Sequence, residues 1–178
     1  MGIISHFVFE IVKIAILAFI YSGIIFLFPL IFKKPAKSKT RFNWRRFLLV
    51  YKIIAALLFV FSFTYYGNHG FGDEEVIPLG HGEKIRAGDD NTYFESDDNK
   101  SGRININTYQ VKDDILCAST NSGLFVYRLG TKQIDKFADE QAYNTFALAR
   151  NLPPSKQFLD FETQYNNYWG GWRFWMLP

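Results

Sequence analysis

Nineteen consecutive residues, Ile14 to Phe32, carry no charge and are dominated by Ile, Leu, Phe and Ala. At a rise of about 1.5 Å per residue, a helix of this length matches the roughly 30 Å hydrocarbon core of a bilayer. A cleaved signal peptide has a shorter apolar core, about 7–15 residues, followed by a small-x-small cleavage site. Here the run ends in Phe28-Pro29-Leu30-Ile31-Phe32-Lys33 with no such site. The sequence therefore predicts a membrane span. Pro29 falls near its end, where a lost backbone hydrogen bond costs little.

A second apolar stretch, Phe47 to Tyr66, is interrupted only by Lys52. That charge lies near one end, so its ammonium can reach the headgroups along its own stem. The expectation is a two-helix transmembrane hairpin over residues 1–66, with spans at about 11–32 and 47–66. The connecting loop, residues 33–46, holds seven Lys/Arg among its fourteen residues and no acid. Short loops this basic stay in the cytoplasm, which puts both termini on the non-cytoplasmic side. Trp44 and the Tyr65-Tyr66 pair suit the aromatic belts of the two interfaces. Before the first span, His6, Glu10 and Lys13 share one helical face, as an interfacial polar face or an ion-handling trio would.

Charge divides the chain as sharply as hydropathy does. Met1 to Tyr66 has nine Lys/Arg against one acid, Glu10, a net of +8. Gly67 to Pro178 has eleven Lys/Arg against sixteen Asp/Glu, a net of −5. The overall basicity belongs to the anchor, and the remainder would be repelled by phosphate, which excludes nucleic acid as a partner. A single cysteine, Cys117, forbids an intramolecular disulfide and sits in an apolar run as a buried small hydrophobe would.

After a glycine-rich linker at 67–74, the period shortens to that of strands. Val76-Leu79, Lys84-Arg86, Thr92-Phe94, an alternating Arg103–Val111, Ile115–Thr120, Gly123–Leu129 and Gln133–Phe137 read as a meander of six or seven antiparallel strands. Asp139 is placed to cap a helix running to about Asn151, and Pro153-Pro154 stops it. A second helix from Ser155 would place Phe158, Phe161, Tyr165 and Tyr168 on one stripe, ending at Gly170-Gly171. The fold class expected is α+β, with an extracytoplasmic domain at 75–178 carrying one or two C-terminal helices.

Three sets of residues are candidates for a site, and no catalytic or cofactor motif is among them. Asp97, Asn99 and Ser101 have the 1-3-5 spacing of calcium-loop ligands, with Gly102 at the bend. Position 12 of such a loop is Thr108 rather than a bidentate Glu, and a solvated turn explains the same residues. Asn99-Lys100-Ser101 is also a glycosylation sequon, which matters only in a eukaryote. His69, Asp73 and His81 are metal-ligand types without a tight spacing; a three-ligand zinc site would need them to converge. Trp169, Trp172 and Trp175 form an aromatic terminus suited to a partner or membrane interface, or to plugging the sheet core, the more common fate of large aromatics. No Gly-x-Ser-x-Gly elbow is present, and the adjacent acids Glu74-Glu75, Asp89-Asp90 and Asp113-Asp114 read as exposed turns.

The function expected is that of a membrane-anchored, non-enzymatic binding or assembly module of the bacterial envelope, an attribution that the Ile/Phe/Lys/Asn-rich usage suits. Its partners would be the lipid bilayer of the inner membrane and another envelope protein. The alternatives are an accessory subunit of a larger membrane complex, an immunity-type protein against an envelope-acting toxin and, last, a metal-dependent hydrolase using His69, Asp73 and His81.

Overall fold

A computed structural model describes residues 3–32, 43–68, 74–88, 91–96 and 102–178, with the side chains of the first helix placed from Phe7 to Phe28. The chain is α+β with antiparallel sheets, and it divides into two compact units. One comprises residues 1–72 and 172–178, the other residues 73–171.

The first unit is built on helices α1 (Ile3–Phe32) and α2 (Trp44–Phe61). Asn43 starts α2 three residues before the expected boundary, because its side chain accepts from the Arg46 N–H at 3.3 Å. Glu10, Ile14, Leu17, Ala18 and Ser22 form the buried stripe of α1, at the spacing of one helical face. The Ser22 hydroxyl donates to the Ala18 carbonyl at 2.7 Å, which satisfies it within its own helix. Phe47 of α2 sits edge-on to Phe19 and Phe26, with centroids at 5.8 and 5.4 Å, and stacks on Trp44. Much of the described remainder of α1 is apolar and exposed, including Ile16, Phe19, Ile20, Ile24 and Phe28. Among the described residues one helix, over Phe7–Phe28, is long and apolar enough to cross a membrane. The eighteen residues of α2 include Arg45, Arg46 and Lys52, so no equally long uncharged stretch lies within that helix.

Among the described residues the second unit has eight strands rather than six or seven, in two sheets rather than one. Strands β1 (Glu75–Gly80), β2 (Glu83–Gly88), β3 (Asn91–Glu95) and β4 (Arg103–Asn105) form one antiparallel meander. Strands β5 (Thr108–Lys112), β6 (Ile115–Thr120), β7 (Gly123–Arg128) and β8 (Gln133–Phe137) form the other. The alternating stretch Arg103–Val111 is therefore two strands, and it breaks at Ile106-Asn107. There the Ile106 N–H donates to Thr92 O in the first sheet and the Asn107 N–H to Ser119 O in the second, each at 2.9 Å. Successive amides of an extended chain point to opposite sides, so the chain exchanges one neighbour for the other at this corner.

Register puts one apolar rung from each sheet into a shared core. Ile77, Ile85, Phe94 and Ile104 align across the first sheet, and Val111, Leu116, Tyr127 and Ile134 across the second. Phe94 meets Tyr127 edge-on at 4.7 Å between the two faces. The opposite face of the second sheet is buried as well. Cys117 and Val126 pack there with Tyr143 and Ala147 of α3 (Glu140–Ala149), which Asp139 caps by accepting from the Ala142 N–H at 2.8 Å. The second predicted helix begins later than expected. Ser155–Gln157 makes only a 3-10 turn, and α4 (Phe161–Trp169) starts at Asp160, whose carboxylate accepts from the Thr163 N–H at 2.7 Å. The predicted stripe consequently splits: Phe158 packs beside α3, and Phe161 enters the core between the sheets. Leu159 pairs with Tyr109 through two backbone hydrogen bonds and covers the free edge of β5.

Gly170 ends α4, and Gly171, at φ +62°, takes a left-handed turn that glycine adopts at no steric cost. A last short helix, α5 (Trp172–Met176), then belongs to the first unit with α1, so the sheet-bearing unit ends at Gly171 and not at Pro178.

Candidate functional site

Three hairpin turns of the sheet unit converge at one end, and they do so through residues held at positive φ. The β1–β2 turn carries His81 (φ 53°), the β5–β6 turn Asp113 and Asp114 (49° and 60°), and the β7–β8 turn Lys132 (58°). The two-residue turns at 81–82 and 113–114 demand this conformation, which explains the adjacent acids Asp113-Asp114 as turn residues. The His81 Nε2 lies 3.5 Å from the Asp114 carboxylate, and the Leu129 N–H donates to Asp114 O at 3.0 Å. The third turn thereby touches the second.

Beneath these turns lies a polar cluster that sequence reasoning did not single out. Glu83, at the start of β2, is fully buried. Its Oε1 accepts from Tyr127 Oη at 3.1 Å and from Ser96 Oγ at 3.2 Å, and Lys132 Nζ stands 3.7 Å away. Ser96 and Tyr127 are themselves 3.1 Å apart. Each hydroxyl owns one proton, so of the three edges of this triangle two can be bonded at once. The Tyr127 hydroxyl is pushed up from its ordinary pKa by burial, against a partly compensating hydrogen bond from Ser96. Parity is the signal that betrays Glu83, since it shares the inward face of β2 with Ile85.

Chemically the cluster is a buried charge with its compensation built in. A carboxylate in this position costs several kcal/mol unless paired and hydrogen-bonded, and here Ser96, Tyr127 and Lys132 contribute to that compensation. With Glu83 fully buried and Ser96 6% exposed, neither is open to a substrate. The arrangement fixes the turn end of the sandwich.

A second network lies on the outer face of the first sheet. Arg86 donates from Nε to Glu95 at 2.7 Å and from a terminal nitrogen to Glu74, while Lys84 stands 3.3 Å from Glu95. Arg103 covers the ring of Tyr93 at 4.6 Å. Partial burial pushes the Glu95 carboxyl up, but Arg86 and Lys84 outweigh it and hold the group below the ordinary carboxylate value.

The residues expected from sequence are distributed as follows. His81 is half exposed and pairs with Asp114, while His69 and Asp73 lie outside the described residues. The calcium-loop candidates Asp97, Asn99 and Ser101 also lie outside them. Among the described residues no group of three or more His, Cys, Asp and Glu side chains comes together. Cys117 is buried, and burial pushes its thiol up against a hydrogen bond with Tyr143. The three tryptophans separate. Trp169 is a core residue and not an interface residue: it is 8% exposed, and its indole N–H donates to Val76 O at 2.7 Å. Trp172 and Trp175 do not plug the core, being 64% and 73% exposed. The Gly170-Gly171 turn is the reason, because it ends the helix that docks on the sheet before either residue is reached.

No protein-family model, curated protein or solved structure matches the chain.

Proposed function

We propose that this chain is a membrane-anchored binding or assembly module of a bacterial envelope, acting outside the cytoplasm and without catalysis. The observation that carries the reading is α1, whose Phe7–Phe28 stretch is long and apolar enough to span a bilayer. In this reading α2 is a second span whose charges lie where they are tolerated: Arg45 and Arg46 at the cytoplasmic end, and Lys52 within reach of the same headgroups. The seven basic residues of the 33–46 loop then hold it in the cytoplasm of an inner-membrane protein with both ends outside.

The non-catalytic reading draws support from the Glu83 cluster. It gathers a carboxylate, two hydroxyls and an ammonium, yet its carboxylate and hydroxyls are buried beneath three turns. On its outer face the first sheet carries a partly buried, charge-balanced network of Glu74, Lys84, Arg86 and Glu95, a polar surface for a protein partner.

Membrane-impermeant thiol labelling of intact cells tests the orientation. Lys100→Cys should react and Ser38→Cys should not, and buried Cys117 keeps the background low. Labelling of Ser38→Cys alone would reverse the topology and remove the extracytoplasmic assignment.

A further inference from the structure

The segment Trp172–Met176 holds four large apolar side chains in the open: Trp172 at 64% exposure, Phe174 at 46%, Trp175 at 73% and Met176 at 51%. A loose tail would show the same composition, but this one is attached at two points along α1. The Tyr21 hydroxyl donates to the Met176 carbonyl, and the Lys13 ammonium lies 4.9 Å from the centroid of the Phe174 ring. Lys13 and Tyr21 both fall inside the Phe7–Phe28 stretch, and their eight-residue separation corresponds to about 12 Å along the helix axis.

We propose that α5 is a membrane-inserted element, lying in the bilayer beside α1 with Trp172 and Trp175 facing acyl chains. The proposal rests on the membrane reading of α1 given above. Three observations single out lipid as the occupant of this surface. Its exposed aromatics belong to the same unit as the exposed apolar residues of α1, where Ile16, Phe19, Ile20 and Ile24 stand between 47% and 59% exposed. Within a hydrocarbon layer no water is at hand for a stray hydroxyl or carbonyl, and the Tyr21–Met176 bond joins one of each. The two charges at the contact are also matched to such a setting. Lys13 rests against an aromatic ring, and Arg173, 5.5 Å from the centroid of the Trp172 ring, has a stem long enough to reach the headgroups.

A membrane protein with this element is attached to the bilayer both before and after its sheet unit in the chain. The chain leaves the helical unit at Gly72 and returns to it at Trp172. A binding module so held would keep its attachment if the linker at 67–74 were cut.

Quenching by brominated lipid tests the insertion in the full chain. A Trp44→Phe variant, in which the remaining indoles are Trp169, Trp172 and Trp175, is reconstituted into phosphatidylcholine vesicles with or without bromine at the middle of the acyl chains. Flotation of the vesicles is scored first, since it reports on α1 without reference to α5. The expected result is co-flotation together with a loss of tryptophan emission in brominated vesicles, and that loss disappears when Trp172→Phe and Trp175→Phe are added. Co-flotation with equal emission in both vesicles would overturn the insertion of α5 while leaving the anchor intact; a protein partner or a second copy covering the aromatic face would give this result. Failure to float would overturn the anchor and the insertion with it.

Discussion

Helices α4 and α5 are adjacent in the chain, similarly rich in aromatic residues, and opposite in fate. Trp169 closes α4 with its ring buried and its indole N–H bonded to β1, whereas Trp172 and Trp175, three and six residues on, are largely exposed. Composition does not distinguish them. The difference lies in two glycines, the second in a left-handed conformation, which separate a helix belonging to the sheet unit from one belonging to the helical unit. An aromatic terminus is therefore not one object with one role. Its first part stabilises a fold, and its second is available for a surface.

The most direct way to break this contrast is to truncate the two classes of tryptophan side by side. Trp169→Ala should destabilise the sheet unit by about 3–5 kcal/mol, the usual cost of emptying a buried aromatic site. Trp172→Ala and Trp175→Ala should leave its unfolding within about 0.5 kcal/mol of the parent. Denaturant unfolding of the full chain in detergent, followed by near-ultraviolet dichroism, measures all three. Equal effects would dissolve the distinction between α4 and α5.

The same logic separates the two charge networks of the sheet unit. Glu83→Ala strips a fully buried carboxylate from Tyr127, Ser96 and Lys132, and a loss of about 1–3 kcal/mol is expected for the polar groups left behind. Glu95→Ala, on the solvent-facing network, should cost about 0.2–1 kcal/mol and lose part of that in high salt. A salt-insensitive Glu95 variant as damaging as Glu83→Ala would show that the outer face is more than a solvated ion-pair surface.

Buried tyrosines give a finer test of the core between and behind the sheets. Tyr143 donates to Pro153 O at 2.6 Å, while among the described residues Tyr109 Oη has no hydrogen-bond partner. Tyr143→Phe should cost about 0.5–1.5 kcal/mol, and Tyr109→Phe should be neutral or stabilising. Burial raises the hydroxyl pKa of Tyr109, Tyr127 and Tyr143 above the ordinary value in the folded state. Their contribution is thus fully present below about pH 10, where the unfolded chain keeps its phenols protonated, and is lost as pH rises through the folded values. On the acid side the depressed Glu95 carboxyl works in reverse: its contribution is present above the unfolded value and lost as pH falls through the folded one. A stability profile flat above pH 10, measured by denaturant midpoints, would contradict the burial of these rings.

The smallest effect expected is that of removing α5 altogether. A chain truncated after Gly171 should retain the sheet unit's unfolding free energy to within about 0.5 kcal/mol, because no buried rung of either sheet is lost. Loss of cooperative unfolding in that variant would return Trp172 and Trp175 to the core of the sheet unit.

Local patterns in this chain sufficed for what depends on nearest neighbours along it. The uncharged run of α1, the cap at Asp139, the stop at Pro153-Pro154 and the turn character of Asp113-Asp114 are all legible, because each follows from period, φ preference or a missing donor within a few residues. Partner choice was not legible. Arg103–Val111 alternates throughout like one strand, yet its halves serve two sheets, since alternation reports which face is buried and not which strand lies alongside. Glu83 lies just outside the strand expected at Lys84-Arg86, and its partners come from positions 96, 127 and 132, brought together only when the turns converge. For the same reason His81 found Asp114, and Trp172 and Trp175 joined the helical unit while Trp169 stayed with the sheets. Burial and pairing are properties of contacts between residues far apart in the chain, and tertiary packing alone chooses those contacts.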